Sequence, residues 1–409
     1  MNAKTIQYWV FWLLCLVCFF VLPVNAQYFD INGHKKKVEI PFKLVRNMII
    51  IQLRIDNKGP YNFIMDTGVG FMIITDPQLM DSVHVCKTRI LKLGGFGDGD
   101  DYDAYATPPL KVDIPGLTSY NVAAAILQKD NFGLSNYAGM PIQGLLGYEF
   151  FINLAVKVNF SDSTLTVYRP ADTRLYAKGE KIPITIEDHK PYMVTNIDMP
   201  DGCVKTDKLI VDLGAGHPLL LENMNNELPK KYITANLGIG FNGPVSGYIS
   251  RISEVELGKY KIKNIISSFP TNDSVLYKYE SVKRDGNLGI GILKKFIVVF
   301  DYHDNLIYLK PGPSYKEPFE HDMSGLEYYA GGDDFKHIII SRVEPGSAGD
   351  TIGLEKDDEI LSINLKPTSA MSLEQIDEIF KSQNDRNLVL EVAHDNKHDM
   401  VIITLKRRI

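Results

Sequence analysis

The sequence predicts a mainly β protein made of two related lobes and a smaller C-terminal unit, and three observations carry that prediction. Short apolar runs rich in Val, Ile, Phe and Tyr are split by Gly, Asn, Asp and Pro, as at Met48–Ile55, Leu154–Phe160, Thr164–Tyr168, Phe296–Tyr302 and Leu306–Leu309. That composition suits the pleated, half-buried surface of strands. A set of landmarks recurs in the same order, 142–146 residues further on. A Pro-rich stretch, Lys310–Glu320, then separates a segment with its own strand and helix pattern. The 409 residues also exceed the roughly 250–300 that one hydrophobic core holds.

In chain order, the first segment is expected to be a targeting signal. Lys4 is its only charge, an apolar run spans Tyr8–Leu22, and Asn25-Ala26 precedes Gln27. A charged start, a short apolar middle and small residues before the cut predict secretory cleavage after Ala26. The run falls short of the roughly 20 residues that span a bilayer. The expectation is a periplasmic or secreted protein with no stable membrane span after cleavage. The mature chain keeps Cys86 and Cys203, either as a disulfide or as two thiols. Lys and Arg number 44 against 50 Asp and Glu, a net charge of −6 with no basic tract, which argues against nucleic acid as the main partner.

Lobe one is expected over 27–170 and lobe two over 171–312, with the last unit at 313–409. Ile40-Pro41-Phe42 is matched by Ile182-Pro183-Ile184, and Phe63-Ile64-Met65-Asp66-Thr67-Gly68 by Leu209-Ile210-Val211-Asp212-Leu213-Gly214. Gly144-Leu145-Leu146-Gly147 is matched by Gly286-Asn287-Leu288-Gly289. The clearest helical stretches are Leu373–Ser382 and Pro77–Val83. In each lobe an apolar strand delivers an Asp to a Gly turn. Thr67 adds a hydroxyl, while Gly68 and Gly214 let backbone N–H groups approach a carboxylate. One such triplet is an ordinary strand-to-turn junction. Two, related by a pseudo-twofold axis, bring Asp66 and Asp212 face to face, where like charges at ~3 Å share one proton.

These residues resemble the pepsin-like and retropepsin-like aspartic proteases, as a bacterial, single-chain, two-lobe form. The resemblance implies two acid-protease-type β-barrel lobes, with Asp66 and Asp212 catalytic and water as nucleophile. It implies dyad support from Thr67, Gly68 and Gly214, and no metal or organic cofactor. Flaps in this family are Gly-rich hairpins over a bound peptide. Gly95, Phe96 and Gly97 after Asp66, and Gly240 and Phe241 after Asp212, are the corresponding positions. Leu213 stands where the family has Thr or Ser, so one side of the hydrogen-bonded brace between the Asp loops is missing. Two readings follow. One is an exported aspartic endopeptidase acting on peptide or protein substrates. The other is a catalytically degenerate, protease-like peptide-binding protein.

The last unit resembles a PDZ domain through Val343-Glu344-Pro345-Gly346-Ser347-Ala348 and Gly353-Leu354 to Asn364. Such domains take a peptide C-terminus as an added strand beside a helix, or serve as a rigid brace. The groove is expected at His337, Ile338, Ile339 and Ile340, beside Leu373–Ser382, with the carboxylate loop near Gly331–His337. Other motifs lack context. Gly238-x-Gly240-x-x-Gly243 opens no helix, and His394 and His398 flank a hairpin turn.

Overall fold

The alternating runs form strands where expected: Met48–Ile55, Ala155–Asn159, Thr164–Tyr168, Phe296–Asp301 and Leu306–Pro311. The computed structural model describes residues 28–79, 88–94, 101–130, 132–222, 228–240, 243–271, 282–395 and 397–409. The expected signal (1–26), Cys86, Gly95, Phe96, Gly97 and Phe241 lie outside that set, as does most of the helix expected over Pro77–Val83. Cys203 is an exposed free thiol.

One sheet shows how the repeat is used. Its strands run in the order Glu180–Pro183, Leu306–Pro311, Phe296–Asp301, Ala155–Asn159, Thr164–Tyr168, Lys37–Pro41. The first three come from lobe two and the last three from lobe one, in mirrored order. At its centre Lys157 lies opposite Val299 in antiparallel register. Those two are themselves repeat equivalents, so a pseudo-twofold axis passes between them. Phe151 seals the junction, with its ring 5.5 Å from both Phe300 and Tyr302. One large apolar core draws on both lobes, with smaller clusters within lobe one and on the other face of the shared sheet.

Each lobe then adds a larger sheet in which the Asp-bearing strand is central. Lys58–Met65 pairs in parallel with Gly144–Leu146, and Val204–Asp212 does the same with Gly286–Gly289. A strand buried on both faces reads as an unbroken apolar run. This explains Phe63-Ile64-Met65 and Leu209-Ile210-Val211, all buried.

The C-terminal unit has a separate core, including Ile338, Ile340, Ile360, Ile376, Phe380, Leu388 and Leu390. Its helix, Leu373–Phe380, is started by Ser372, whose hydroxyl accepts from Gln375 N–H while the Gln375 side chain accepts from Ser372 N–H. This reciprocal cap satisfies two otherwise orphaned donors. The expected groove is corrected here. Strand His337–Val343 is interior, with Leu326–Gly331 on one side and Glu359–Ile363 on the other. His337, Ile338, Ile339 and Ile340 therefore offer no free edge to a peptide, and Ile338 and Ile340 belong to the core. Gly331–His337 is the hairpin connection between two paired strands. The outermost strand of the sheet beside the helix is Leu326–Gly331.

Candidate active site

Asp66 and Asp212 leave the ends of the two central strands and turn toward each other across the pseudo-twofold axis. Gly68 N–H donates to Asp66 Oδ1 at 2.7 Å, and Gly214 N–H donates to Asp212 Oδ1 at 2.7 Å. The glycines are required by close approach. A Cβ on Gly68 would lie 2.7 Å from Asp212 Oδ2, and one on Gly214 would lie 2.2 Å from Asp66 Cγ. Each lobe's glycine thus packs against the opposite lobe's carboxylate. Burial, followed by the Asp212 charge, pushes the Asp66 pKa well above the usual carboxylate range; Gly68 N–H and Lys190 oppose this.

The brace between the loops has one working half. Thr67 is fully buried; its hydroxyl donates to Val211 O at 2.7 Å and accepts from Leu213 N–H at 2.9 Å. The Leu213 side chain, also fully buried, supplies no return bond. Thr67→Val strands one donor and one acceptor in the interior. Such orphans cost about 1–3 kcal/mol each, so the expected loss of folding stability is about 2–6 kcal/mol, read from denaturant midpoints. An unchanged midpoint would show that the loops do not depend on this brace.

Asn287 is a site residue that the sequence reading passed over. Its Nδ2 donates to Asp212 Oδ2 at 2.7 Å. The equivalent residue in lobe one is Leu145, which makes Asn287 a polar break in an apolar repeat, and that was the available signal. Behind it, burial lowers the His217 pKa to about 4, against the pull of Asp212. His217 is therefore a neutral imidazole at neutral pH.

Two short turns cross the lobe boundary symmetrically. In lobe one, Arg46 and Asn47 have φ of 46° and 63°; in lobe two, Asp188 and His189 have φ of 46° and 63°. Asn47 Nδ2 donates to Gly216 O at 2.8 Å, in the loop after Asp212. His189 lies against Gly70, in the loop after Asp66, and its ring centroid is 4.5 Å from that of Tyr148. Each Asp loop is thus steadied by a turn from the other lobe.

Gly240 ends strand Tyr232–Gly240 and pairs with Gly243 across the hairpin tip. Lower on that strand, Asn236 N–H reaches Glu344 Oε1 at 3.2 Å and Asn236 Nδ2 reaches Glu327 Oε2 at 2.9 Å, both in the C-terminal unit. In lobe one, Ile90–Leu93 and Tyr102–Ala106 pair as the stem of the other hairpin, and the Tyr102 ring packs on Phe132 at 5.8 Å. Among the described residues, no cluster of three or more His, Cys, Asp or Glu side chains could hold a metal ion.

Residues 320–393 match the family model for the PDZ domain. No curated protein matches the chain. Among solved structures, the chain is similar to an aspartic proteinase from Irpex lacteus, with 11% identity over 69% of this chain and 99% of that one, at a TM-score of 0.44. It is similar to the photosystem II D1 C-terminal processing protease, with 16% identity over 20% of this chain and 22% of that one, at a TM-score of 0.19. A PDZ domain protein from Parabacteroides distasonis is 18% identical over 21% of this chain and 20% of that one, at a TM-score of 0.19. The chain thus spans about a fifth of the length of the last two.

Proposed function

We propose that this chain is an exported aspartic-type endopeptidase whose PDZ domain recognises peptides or regulates cleavage. The observation that carries this reading is the pair Asp66 and Asp212, each held by a Gly N–H and each packed against the other lobe's glycine. In this reading Asp66 is the proton-bearing member, since burial and its neighbour favour its neutral form. Asp212 receives N–H donors on both oxygens, which fits an acceptor-only carboxylate and the role of general base.

Asp212 takes a proton from a water as that water attacks the scissile carbonyl carbon. Asp66 gives its proton to the carbonyl oxygen as the tetrahedral intermediate forms. On collapse, the proton held by Asp212 passes to the leaving amine, and Asp66 recovers one from the intermediate. The net reaction adds one water across one peptide bond. Asn287→Leu, which installs the lobe-one residue, removes a donor from the base. A buried hydrogen bond to a charged group is worth about 1.5–3 kcal/mol, so kcat is expected to fall at least about tenfold. An undiminished kcat would remove Asn287 from the site.

Leu213 favours a second reading, in which the cleft binds extended chains without cutting them. A peptide-library digest from pH 3 to pH 8, with the wild type, Asp66→Asn and Asp212→Asn, separates the two. Cleavage by the wild type alone supports the endopeptidase. Cleavage by none supports the binding protein. Equal cleavage by all three removes the dyad from the reaction.

A further inference from the structure

The PDZ sheet ends at Leu326–Gly331, and the direction of that strand's polar groups follows from its neighbour. Ile340 N–H donates to Asp358 O, and Ile340 O accepts from Asp357 N–H, so Ile340 bonds away from the edge strand. Tyr328 lies opposite Ile340, and Ala330 opposite Ile338. In antiparallel pairing such residues turn their own carbonyls outward. The Tyr328 and Ala330 carbonyls are therefore the acceptors an incoming peptide strand would use.

Both are already taken. Arg46 Nη1 donates to Tyr328 O at 2.9 Å, and Asn136 Nδ2 donates to Ala330 O at 3.0 Å. The helix side of the groove is held as well. Arg46 Nη2 lies 3.0 Å from Asp377 Oδ1, and Arg46 N–H donates to Glu374 Oε1 at 3.1 Å. The guanidinium sits 4.8 Å from the Tyr137 ring centroid and 4.6 Å from that of Tyr328. The Arg46 side chain is only 6% exposed. It fills the space between the strand edge and the helix.

We infer that the N-terminal lobe caps the PDZ groove, and that a peptide ending in a free carboxylate competes with Arg46 and Asn136 for it. Peptide entry requires this face of the lobe to let go. The release is felt at the dyad, because Arg46 and Asn47 form one turn. Asn47 holds Gly216 O and accepts from Lys294 Nζ at 3.0 Å. The capped form is the one with both Asp loops steadied, so peptide at the PDZ domain slows cleavage. This last step rests on the endopeptidase reading; the capping does not.

The test uses the full chain and fluorescent decapeptides with four randomised C-terminal residues, ending in a free carboxylate or an amide. Binding is compared among the wild type, Arg46→Ala, Asn136→Ala and the double variant, with thermal melts to verify folding. A closed groove lowers apparent affinity by the fraction that is open. Losing these hydrogen bonds is expected to tighten carboxylate-peptide binding about tenfold or more, with no gain for the amides. Asn136→Ala loses one neutral hydrogen bond, so it still decides the matter if the arginine variants do not fold. Equal affinity in the wild type and the folded variants, or no binding by any of them, overturns the capping. If a tight-binding peptide leaves wild-type cleavage unchanged, the link to the dyad falls while the capping stands. Absence of cleavage by the wild type strikes the endopeptidase reading instead.

Discussion

Asp66→Asn and Asp212→Asn are each expected to lower kcat/KM for peptide hydrolysis by about 10²–10⁴-fold, the usual contribution of a positioned acid or base. Asn is nearly isosteric with Asp and keeps a polar contact, but it can neither give up nor accept the proton that each half-reaction moves. The pH profile adds a second signature. Asp66 must carry its proton to act as the acid, and burial with the Asp212 charge holds that proton to well above the usual carboxylate range. Activity should therefore persist above pH 4 and fall as pH rises through the raised value. Misfolding does not imitate this result. Asp66→Asn removes a buried acidic group beside a second one, so it should melt no lower than the wild type at neutral pH. A variant that melts like the wild type and still cleaves like it would end the dyad mechanism.

Much of this site was legible in the sequence because it sits on the repeat. Two Asp-Gly turns at equivalent places, each after a buried strand, imply an axis, and an axis brings equivalents together. The half-brace was legible too, since Leu213 visibly lacks a hydroxyl. Asn287 was readable only by setting it against Leu145, where one polar atom interrupts an apolar segment. The PDZ groove was misplaced for a physical reason. Ile338-Ile339-Ile340 is an unbroken apolar run with two members in the core, as suits a strand covered on both sides. The edge strand Leu326–Gly331 carries Glu327, Tyr328 and Tyr329 instead, as edges tolerate. The turns at Arg46-Asn47 and Asp188-His189 carry a local signal for a tight bend and none for their distant partners. Only the packed lobes reveal that they cross to the opposite Asp loop.

The pH dependence of stability should run in the same direction as that of activity, and Glu149 is the residue that shows why. It follows Gly147-Tyr148 in lobe one, is 5% exposed, and accepts from Met72 N–H at 3.3 Å. Its Oε2 has no hydrogen-bond partner among the described residues. Burial raises its pKa from 4.5 to about 7, against two backbone hydrogen bonds. Below pH 4.5 the group is protonated in both the folded and unfolded chain, and it contributes no pH dependence. Between pH 4.5 and 7 the unfolded chain has released the proton that the folded chain retains, so stability falls as pH rises. Integrated over that window, the loss is ~3 kcal/mol, a large share of the 5–15 kcal/mol that domains typically hold. Asp66, with its raised pKa, and Asp207, raised to about 6 by burial and then Asp285, act with the same sign. Glu149→Gln keeps the shape and an acceptor for Met72 N–H but has no charge to bury. It should match the wild type at pH 4 and exceed it by ~2–3 kcal/mol at pH 8 in urea titrations. A gain of the same size at both pH values would mean that packing, not ionisation, sets the difference. A protein that works through a retained proton at Asp66 would thus also be held together best where its buried carboxyls stay neutral.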